Sequence, residues 1–311
     1  MSQADQIYKN MCRDIIEHGT STEGEAVRPH WPDGTSAYTI KQFGVVNRYD
    51  LRKEFPILTL RRIALKSATD EILWIYQKKS NNINDLNSHI WDEWADETGS
   101  IGKAYGYQIA QKAKHARVGS PDEFDEKFAA YPSAEAVPSA DGKGYDVLLD
   151  QMDSVLYDLR NTPFSRRIIT NTYNHHDLPE MHLHPCAYSV TYNVTQRPGE
   201  DKLTLNAILN QRSNDLLAAG NWNVIQYAAL VHMVAQCVNM NVGELVHVIG
   251  DAHIYDRHTD IVKELLTRQE YEAPRFILNP EITDFYKFTR NDVSLEGYQY
   301  GEDVGKIPVA I

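Results

Sequence analysis

The sequence predicts an α/β or α+β fold: a single domain over residues 1–311, built on a large mixed β-sheet flanked by helices. Three observations lead there. Helix-period and strand-period segments alternate along the chain, but irregularly, which favours a mixed sheet over a strict βα repeat. Two of the clearest strand-period runs are joined by one short turn-rich loop, the mark of a hairpin. No internal repeat or long low-complexity tract divides the chain, and 311 residues suffice for a core without disulfide staples.

The elements follow in order. The opening "MSQADQIYKNMCRDIIEHGT" is polar and amphipathic and lacks the charged-then-apolar pattern of a secretion signal. After a Pro- and Gly-rich loop, a β-like run spans Ser36 to Val46. "FPILTL" reads as a short strand. The chain then turns helical, with Ala64, Ala68, Ile72, Ile75 and Tyr76 near helical spacing. Residues 109–144 are rich in Ala, Ser, Pro, Gly and charge. They read as a surface insertion with a short helix around Asp122 to Ala129. From Tyr145 a helical pattern through Val147, Leu148, Met152, Val155, Leu156 and Leu159 runs to a stop at Pro163. "RIITNTYN" reads as a strand, and "GELVHVIGDAHIYDRH" as a strand followed by a helix start.

The hairpin makes the sharpest statement. From Cys186 to Val194, Tyr188, Val190, Tyr192 and Val194 face one way and Ala187, Ser189, Thr191 and Asn193 the other. After the loop "TQRPGEDK", a second alternating run starts at Leu203. Folding about the loop pairs Val194 with about Leu203 and brings Cys186 opposite Gln211 and Arg212. A guanidinium beside a thiol favours the thiolate and lowers the cysteine pKa. A helix capped by Asn221 or a neighbour follows, with Val224, Tyr227, Ala228, Val231, Ala235 and Val238 as its apolar face. Asn223 falls in its first turn, where an amide that donates and accepts suits the edge of a pyrimidine.

Bulk properties exclude several classes. Forty-three acidic residues against 31 basic give a net charge of −12, which repels a nucleic-acid backbone. Binding an anion then requires a local cluster of arginines. No run of 18 apolar residues predicts a membrane span. The three cysteines, Cys12, Cys186 and Cys237, are odd in number and widely spaced. They predict a reducing, cytoplasmic setting and no disulfide framework. Cys12 and Cys237 lie on helix-like faces and read as buried packing residues. "NHHDLPEMHLH" offers His175, His176, His182 and His184, but no carboxylate or cysteine spacing completes a metal site.

With these residues in view, the chain resembles the thymidylate synthase family over nearly its whole length. "PFSRRII" matches the paired-arginine motif and "LHPCAY" the nucleophile motif. "NQRSNDLL…GNWNVIQYAALVHMVAQ" matches the phosphate- and base-reading segment. "GDAHIYDRH" matches the sugar segment, "DEILW" and "IWDEWADETG…YG" the folate side, and "IPVAI" the C-terminal tail.

The resemblance implies reductive methylation of deoxyuridylate (dUMP) to dTMP through a covalent adduct between Cys186 and C6. The co-substrate would be 5,10-methylenetetrahydrofolate, as carbon donor and reductant, with no metal, flavin or nicotinamide. It implies Glu71 and Tyr105 as proton-handling residues beside Cys186, with Asp215 catalytic and shared between the two ligands. Arg28, Arg212 and Ser213 would take the phosphate of dUMP, Asn223 the base, and His253 and Tyr255 the ribose, with Gln211 also on the dUMP side. Arg166 and Arg167 would reach the phosphate held by the other subunit of a homodimer. Arg61, Trp91, Trp94, Ala310 and Ile311 would join Asp215 on the folate side. No DNA or membrane partner is implied.

The sequence departs from the family pattern in places. Ala187 stands where histidine usually follows the nucleophile. "AAGNWN" replaces the usual "LGLPFN". "LRR", Leu60 to Arg62, replaces the commoner "TKR", which points Arg61 to the folate's glutamate tail. Competing functions are a hydroxymethylase of the same superfamily, a cysteine hydrolase and a non-catalytic paralogue. Asparagine at 223 favours uracil over cytosine, for which the related enzymes carry aspartate.

Overall fold

The computed structural model describes residues 2–310. In chain order the elements are α1 (Gln3–His18), β1 (Thr20–Ser21), β2 (Thr39–Asp50), α2 (Leu65–Tyr76), α3 (Gly106–Ile109), β3 (Ala113–Val118), α4 (Pro121–Phe128), β4 (Glu135–Pro138), β5 (Tyr145–Leu149), α5 (Gln151–Asn161), β6 (Ile169–Asn171), β7 (Ala187–Thr195), β8 (Thr204–Asp215), α6 (Trp222–Cys237), β9 (Asn241–Tyr255), α7 (Thr259–Thr267), β10 (Arg275–Leu278) and β11 (Val293–Glu296).

Six strands form the main sheet in the order β1-β2-β9-β8-β7-β6. Only β8 and β9 run parallel, joined through α6, and their neighbours are antiparallel. The expected mixed sheet flanked by helices is therefore present. Leu205, Ala207 and Leu209 of β8 and Leu245, His247 and Ile249 of β9 point into the core. α6 covers that face and packs in turn against α2. The opposite face is open. There Ile169, Thr191, Ile208 and Val246 lie in register across four strands, with Val46 and Val248 paired alongside.

Several sequence expectations change. "FPILTL" is a loop, not a strand. Its Phe55, Ile57, Leu58 and Leu60 are buried. Asn221 holds it, donating to Pro56 O at 2.8 Å and accepting from Leu58 N at 3.0 Å. Tyr145 to Leu149 is a strand, not the start of a helix. Val147 and Leu149 alternate inward, and Asp150 caps α5 by accepting from Asp153 N. The insertion thus extends past residue 144 and is a three-stranded antiparallel sheet, β3-β5-β4, with α4 beside it. α6 is buried on nearly all sides rather than on one apolar face, because α2 and the sheet sandwich it. β9 runs unbroken to Tyr255 before a short 3-10 turn.

The hairpin register also differs. Val194 pairs with Leu205, two residues beyond the expected partner. A bulge at Tyr188 then restores the expected juxtaposition, and Ala187 pairs with Gln211. The bulge puts Tyr188 out of step with the alternation that Val190, Tyr192 and Val194 keep. No helix among the described residues is long and apolar enough to cross a membrane.

Candidate active site

Cys186 lies just before β7, at the open end of the hairpin. Its carbonyl accepts from Arg212 N at 2.8 Å. Its backbone N–H donates to the Tyr105 hydroxyl at 3.2 Å. One Arg212 nitrogen stands 3.5 Å from Sγ and 3.0 Å from the His184 carbonyl. The predicted thiol–guanidinium pair is therefore formed. Its effect on the thiol is weaker than expected: burial pushes the Cys186 pKa up, and the charges of Arg212 and Arg28 only partly offset it.

Tyr105 is buried with φ +45°, a left-handed backbone conformation unusual for a residue with a side chain. Such a conformation costs about 1–3 kcal/mol. It aims the ring between Trp91, 5.0 Å away, and the nucleophile. Burial, with the Cys186 charge second, raises the phenol's pKa.

Glu71 is buried in the middle of α2. Its Oε1 accepts from Trp91 Nε1 at 3.1 Å and its Oε2 from Trp222 Nε1 at 2.6 Å. Desolvation lifts its carboxyl to about 7, although both indoles pull the other way.

Asn223 belongs to a directed chain of hydrogen bonds. His247 is buried, and desolvation lowers its pKa to about 3, so the ring is neutral. Its Nε2 donates to Gln211 Oε1 at 2.7 Å. Gln211 Nε2 donates to Asn223 Oδ1 at 3.0 Å and to the Ser213 carbonyl at 3.1 Å. Asn223 Nδ2 donates to Gln226 Oε1 at 3.0 Å. Each amide is locked in one orientation, and Asn223 keeps one donor and one acceptor lone pair for a ligand.

Asp215 ends β8. Its Oδ1 accepts from Leu217 N, Ala218 N and His258 Nδ1 at 3.0, 3.2 and 3.3 Å. Oδ2 has no hydrogen-bond partner among the described residues, which leaves an acceptor for a ligand. Burial pushes the carboxyl up, but the hydrogen bond and charge of His258 hold it below its usual range. His258 Nε2 also faces the Pro308 carbonyl at 2.8 Å. Both neighbours of this imidazole accept, so both bonds form only when it is protonated. The tail is held further back by Gly301, whose N–H donates to Thr59 O at 2.8 Å. A Cβ at Gly301 would come within 2.6 Å of Leu60 O.

Arg28, Arg212, Ser213, His253 and Tyr255 line one cavity of about 310 Å³ with Lys41 and Asp251. A second, of the same volume, lies against Arg28, Arg212, Tyr173 and His184. Asp251 orients His253 by a 2.8 Å contact to Nδ1 and pairs with Lys41 at 3.5 Å. The structure does not bring Arg166 and Arg167 to this cluster. Both are exposed in the turn before β6 and line neither cavity. Trp91 is buried and Trp94 half-buried, their rings 5.7 Å apart. Arg61 turns inward and donates to the Leu217 carbonyl at 2.7 Å, and Arg62 is the exposed member of the pair. Ala310 is half-buried, and Ile311 lies outside the described residues. No group of three or more His, Cys, Asp or Glu placed to hold a metal occurs among the described residues.

The sequence profile described as thymidylate synthase matches residues 6–311. The chain belongs to the thymidylate synthase family. It is 39% identical over 306 residues to the thymidylate synthase of Bacillus subtilis subsp. natto, covering 97% of each chain. The same figures hold for the thymidylate synthase of Bacillus phage phi3T. A solved structure, thermostable thymidylate synthase A from Bacillus subtilis, superposes with a TM-score of 0.83 at 38% identity, covering 100% of both chains. Membership makes the chain a methyltransferase of the thymidylate synthase type.

Sequence reasoning missed Trp222, His258 and Asp251, and it cast Asn221 only as a helix cap, whereas its side chain makes no cap bond and holds the Pro56–Leu58 loop instead. Trp222 and Asn221 lie in "AAGNWN", one of the segments that depart from the family pattern, and that was their signal. His258 and Asp251 lie inside the recognised "GDAHIYDRH", but nothing local showed their partners.

Proposed function

We propose that the chain converts dUMP to dTMP by reductive methylation, with Cys186 attacking C6 of the pyrimidine. The observation that carries this reading is the Arg212 guanidinium 3.5 Å from Cys186 Sγ at the mouth of β7. Arg212, Arg28 and Ser213 hold the phosphate by charge-assisted bonds. His253 and Tyr255 hold the ribose. Asn223 donates to O4 of uracil and accepts from N3–H. A cytosine edge reverses both roles, and the chain from His247 through Gln211 forbids Asn223 to flip. Attack by the thiolate splits a hard step into easier ones and makes C5 nucleophilic. Tyr105 assists removal of the C5 proton, and Glu71, titrating near 7, gives and takes protons.

The folate site fits a pterin: Asp215 offers Oδ2, Trp91 and Trp94 offer ring faces, and Ala310 and Ile311 belong to the tail that closes it. Methylenetetrahydrofolate, when bound, supplies the one-carbon unit and the hydride. Arg61 supports this side through Leu217.

We read the chain as one catalytic domain, with a single continuous apolar core, and as half of a homodimer. Val46, Ile169 and Ile208 are 55%, 49% and 38% exposed on the open face of the sheet, a patch that calls for a partner. Arg166 and Arg167 stand at the edge of that face and would reach the partner's phosphate. Mixing Cys186→Ala with Arg166→Ala chains should then restore activity at one hybrid site.

The primary test follows dihydrofolate formation with dUMP, with deoxycytidylate and Cys186→Ala as controls. Product from dUMP alone, lost with Cys186, supports the reading. Consumption of dUMP without dihydrofolate would replace it with a hydroxymethylase.

A further inference from the structure

Glu71 is a buried carboxylate whose two oxygens each take one indole N–H. Trp91 reaches Oε1 from the segment after α2, and Trp222 reaches Oε2 from the first residue of α6. The Trp222 bond, at 2.6 Å, is the shorter of the two. Trp222 sits in "AAGNWN", where the commoner family pattern places a phenylalanine before the asparagine. A phenyl ring is also aromatic and apolar but smaller, and it has no N–H to give. The same chain carries alanine in place of histidine after the nucleophile. Donors around the base end of the site are thus distributed differently here.

We propose that Trp222 is a positioning residue for Glu71: its indole N–H fixes the carboxylate in one orientation and stabilises its anionic form. Trp222 directly precedes Asn223, so the same turn of α6 sets both the base-reading amide and the proton carrier. The inference rests on the reading of Glu71 as that carrier.

The surroundings give this one bond unusual weight. From α6, Trp222 and Gln226 face the carboxylate, and Gln226 Nε2 closes no hydrogen bond of its own. From the other elements come Trp91 and Tyr105, whose hydroxyl accepts from Cys186 N. No Lys, Arg or His pairs with Glu71 among the described residues. The anion is held by neutral donors alone, and removing one leaves burial less opposed.

Trp222→Phe tests the proposal, because it installs the residue that commoner family members carry. The carboxyl infrared band of Glu71, assigned by its loss in Glu71→Gln, is titrated in the free protein. Its midpoint should rise by about one pH unit, the shift expected from losing a hydrogen bond to a charged group. The kcat/KM for dUMP should fall roughly tenfold at pH 6 and recover as the pH is raised. A role in packing alone would lower the rate evenly and leave the band's midpoint in place, and that result would overturn the proposal. Should Trp222→Phe not fold, Trp222→Tyr keeps a donor on the ring and should shift the midpoint less than any donor-free substitution that folds. An equal shift would count against it. Absence of synthase activity in the wild type would sink the functional reading, while the infrared titration would still decide the coupling of Trp222 to Glu71.

Discussion

Glu71 and Asp215 are both largely buried carboxylates, and for both the largest influence is desolvation. They nevertheless titrate in opposite directions. Glu71 is met by two indoles and an amide and is pushed to about 7. Asp215 is met by two backbone N–H groups and an imidazole that can carry charge, and it stays below its usual range. Neutral donors offset an anion's burial only in part, whereas a charged partner offsets it more fully. The middle of α2 therefore keeps a group able to exchange protons near neutrality. The end of β8 keeps a permanent anion, suited to holding a ring rather than to moving protons.

The strongest way to break this contrast is substitution at both positions. Glu71→Gln should lower kcat by about 10²–10⁴-fold, the range for a lost general acid–base group, with dUMP binding retained. Asp215→Asn should chiefly raise the KM for the folate. Steady-state kinetics with both substrates varied would show the two patterns, and identical patterns would remove the division of labour.

Titration of Glu71 also reaches stability. Its pKa is higher in the folded protein than the ordinary 4.5, so the folded state favours the protonated form. The associated stability is full below 4.5 and is lost as the pH rises to about 7. The total is on the order of 3 kcal/mol. Asp5, raised by burial to about 6, acts in the same window. The measurement is therefore the difference in melting profile between wild type and Glu71→Gln from pH 4.5 to 7. A difference independent of pH would mean that the indoles already hold Glu71 near its ordinary value.

Much of this site was legible in the chain, for identifiable reasons. Cys186 meets Arg212 because antiparallel strands joined by a short loop leave few choices of register. Even there, the two-residue error at Val194 was reduced to one residue only by the bulge at Tyr188, which no alternation pattern reveals. "YDVLLD" fits a helical and a strand period equally, and the packing of β5 between β3 and β4 decided it. The bonds Trp222–Glu71, His258–Asp215 and His258–Pro308 join residues 151, 43 and 50 positions apart. Periodicity carries no information about such closures. Ordered family motifs identified Glu71 and Asp215, but not what sets their charge.

His258 sharpens the comparison next. It is fully buried, and the hydrogen bond and charge of Asp215 outweigh desolvation to raise its pKa above the ordinary 6.5. Asp256, on its own turn, adds a smaller pull in the same direction and itself accepts from Trp31 Nε1 at 3.0 Å. Stability from the lowered Asp215 is present above its ordinary 3.8 and lost as pH falls through the depressed value. Stability from the raised His258 is present below 6.5 and lost as pH rises through the elevated value. Both contributions are full only between 3.8 and 6.5. His258→Gln should cost about 1.5–3 kcal/mol in that window, with a smaller penalty on either side. Chemical denaturation at pH 5 and pH 8.5 measures it, and an equal penalty at both would mean that the neutral imidazole suffices.

The smallest effect is expected where a charged partner is present and burial is not. Glu123 and Lys127 on α4 form an i,i+4 pair at 2.7 Å, with side chains 35% and 51% exposed. The hydrogen bond to Lys127 lowers the Glu123 pKa, the same direction as at Asp215. Water already solvates both groups and salt screens them, so their attraction scarcely adds to folding. Lys127→Ala should leave the melting temperature within experimental scatter at low and high salt alike. A loss as large as that of His258→Gln would show that a charged partner stabilises this chain whether or not the pair is buried. Burial would then no longer be what gives the His258–Asp215 pair its weight.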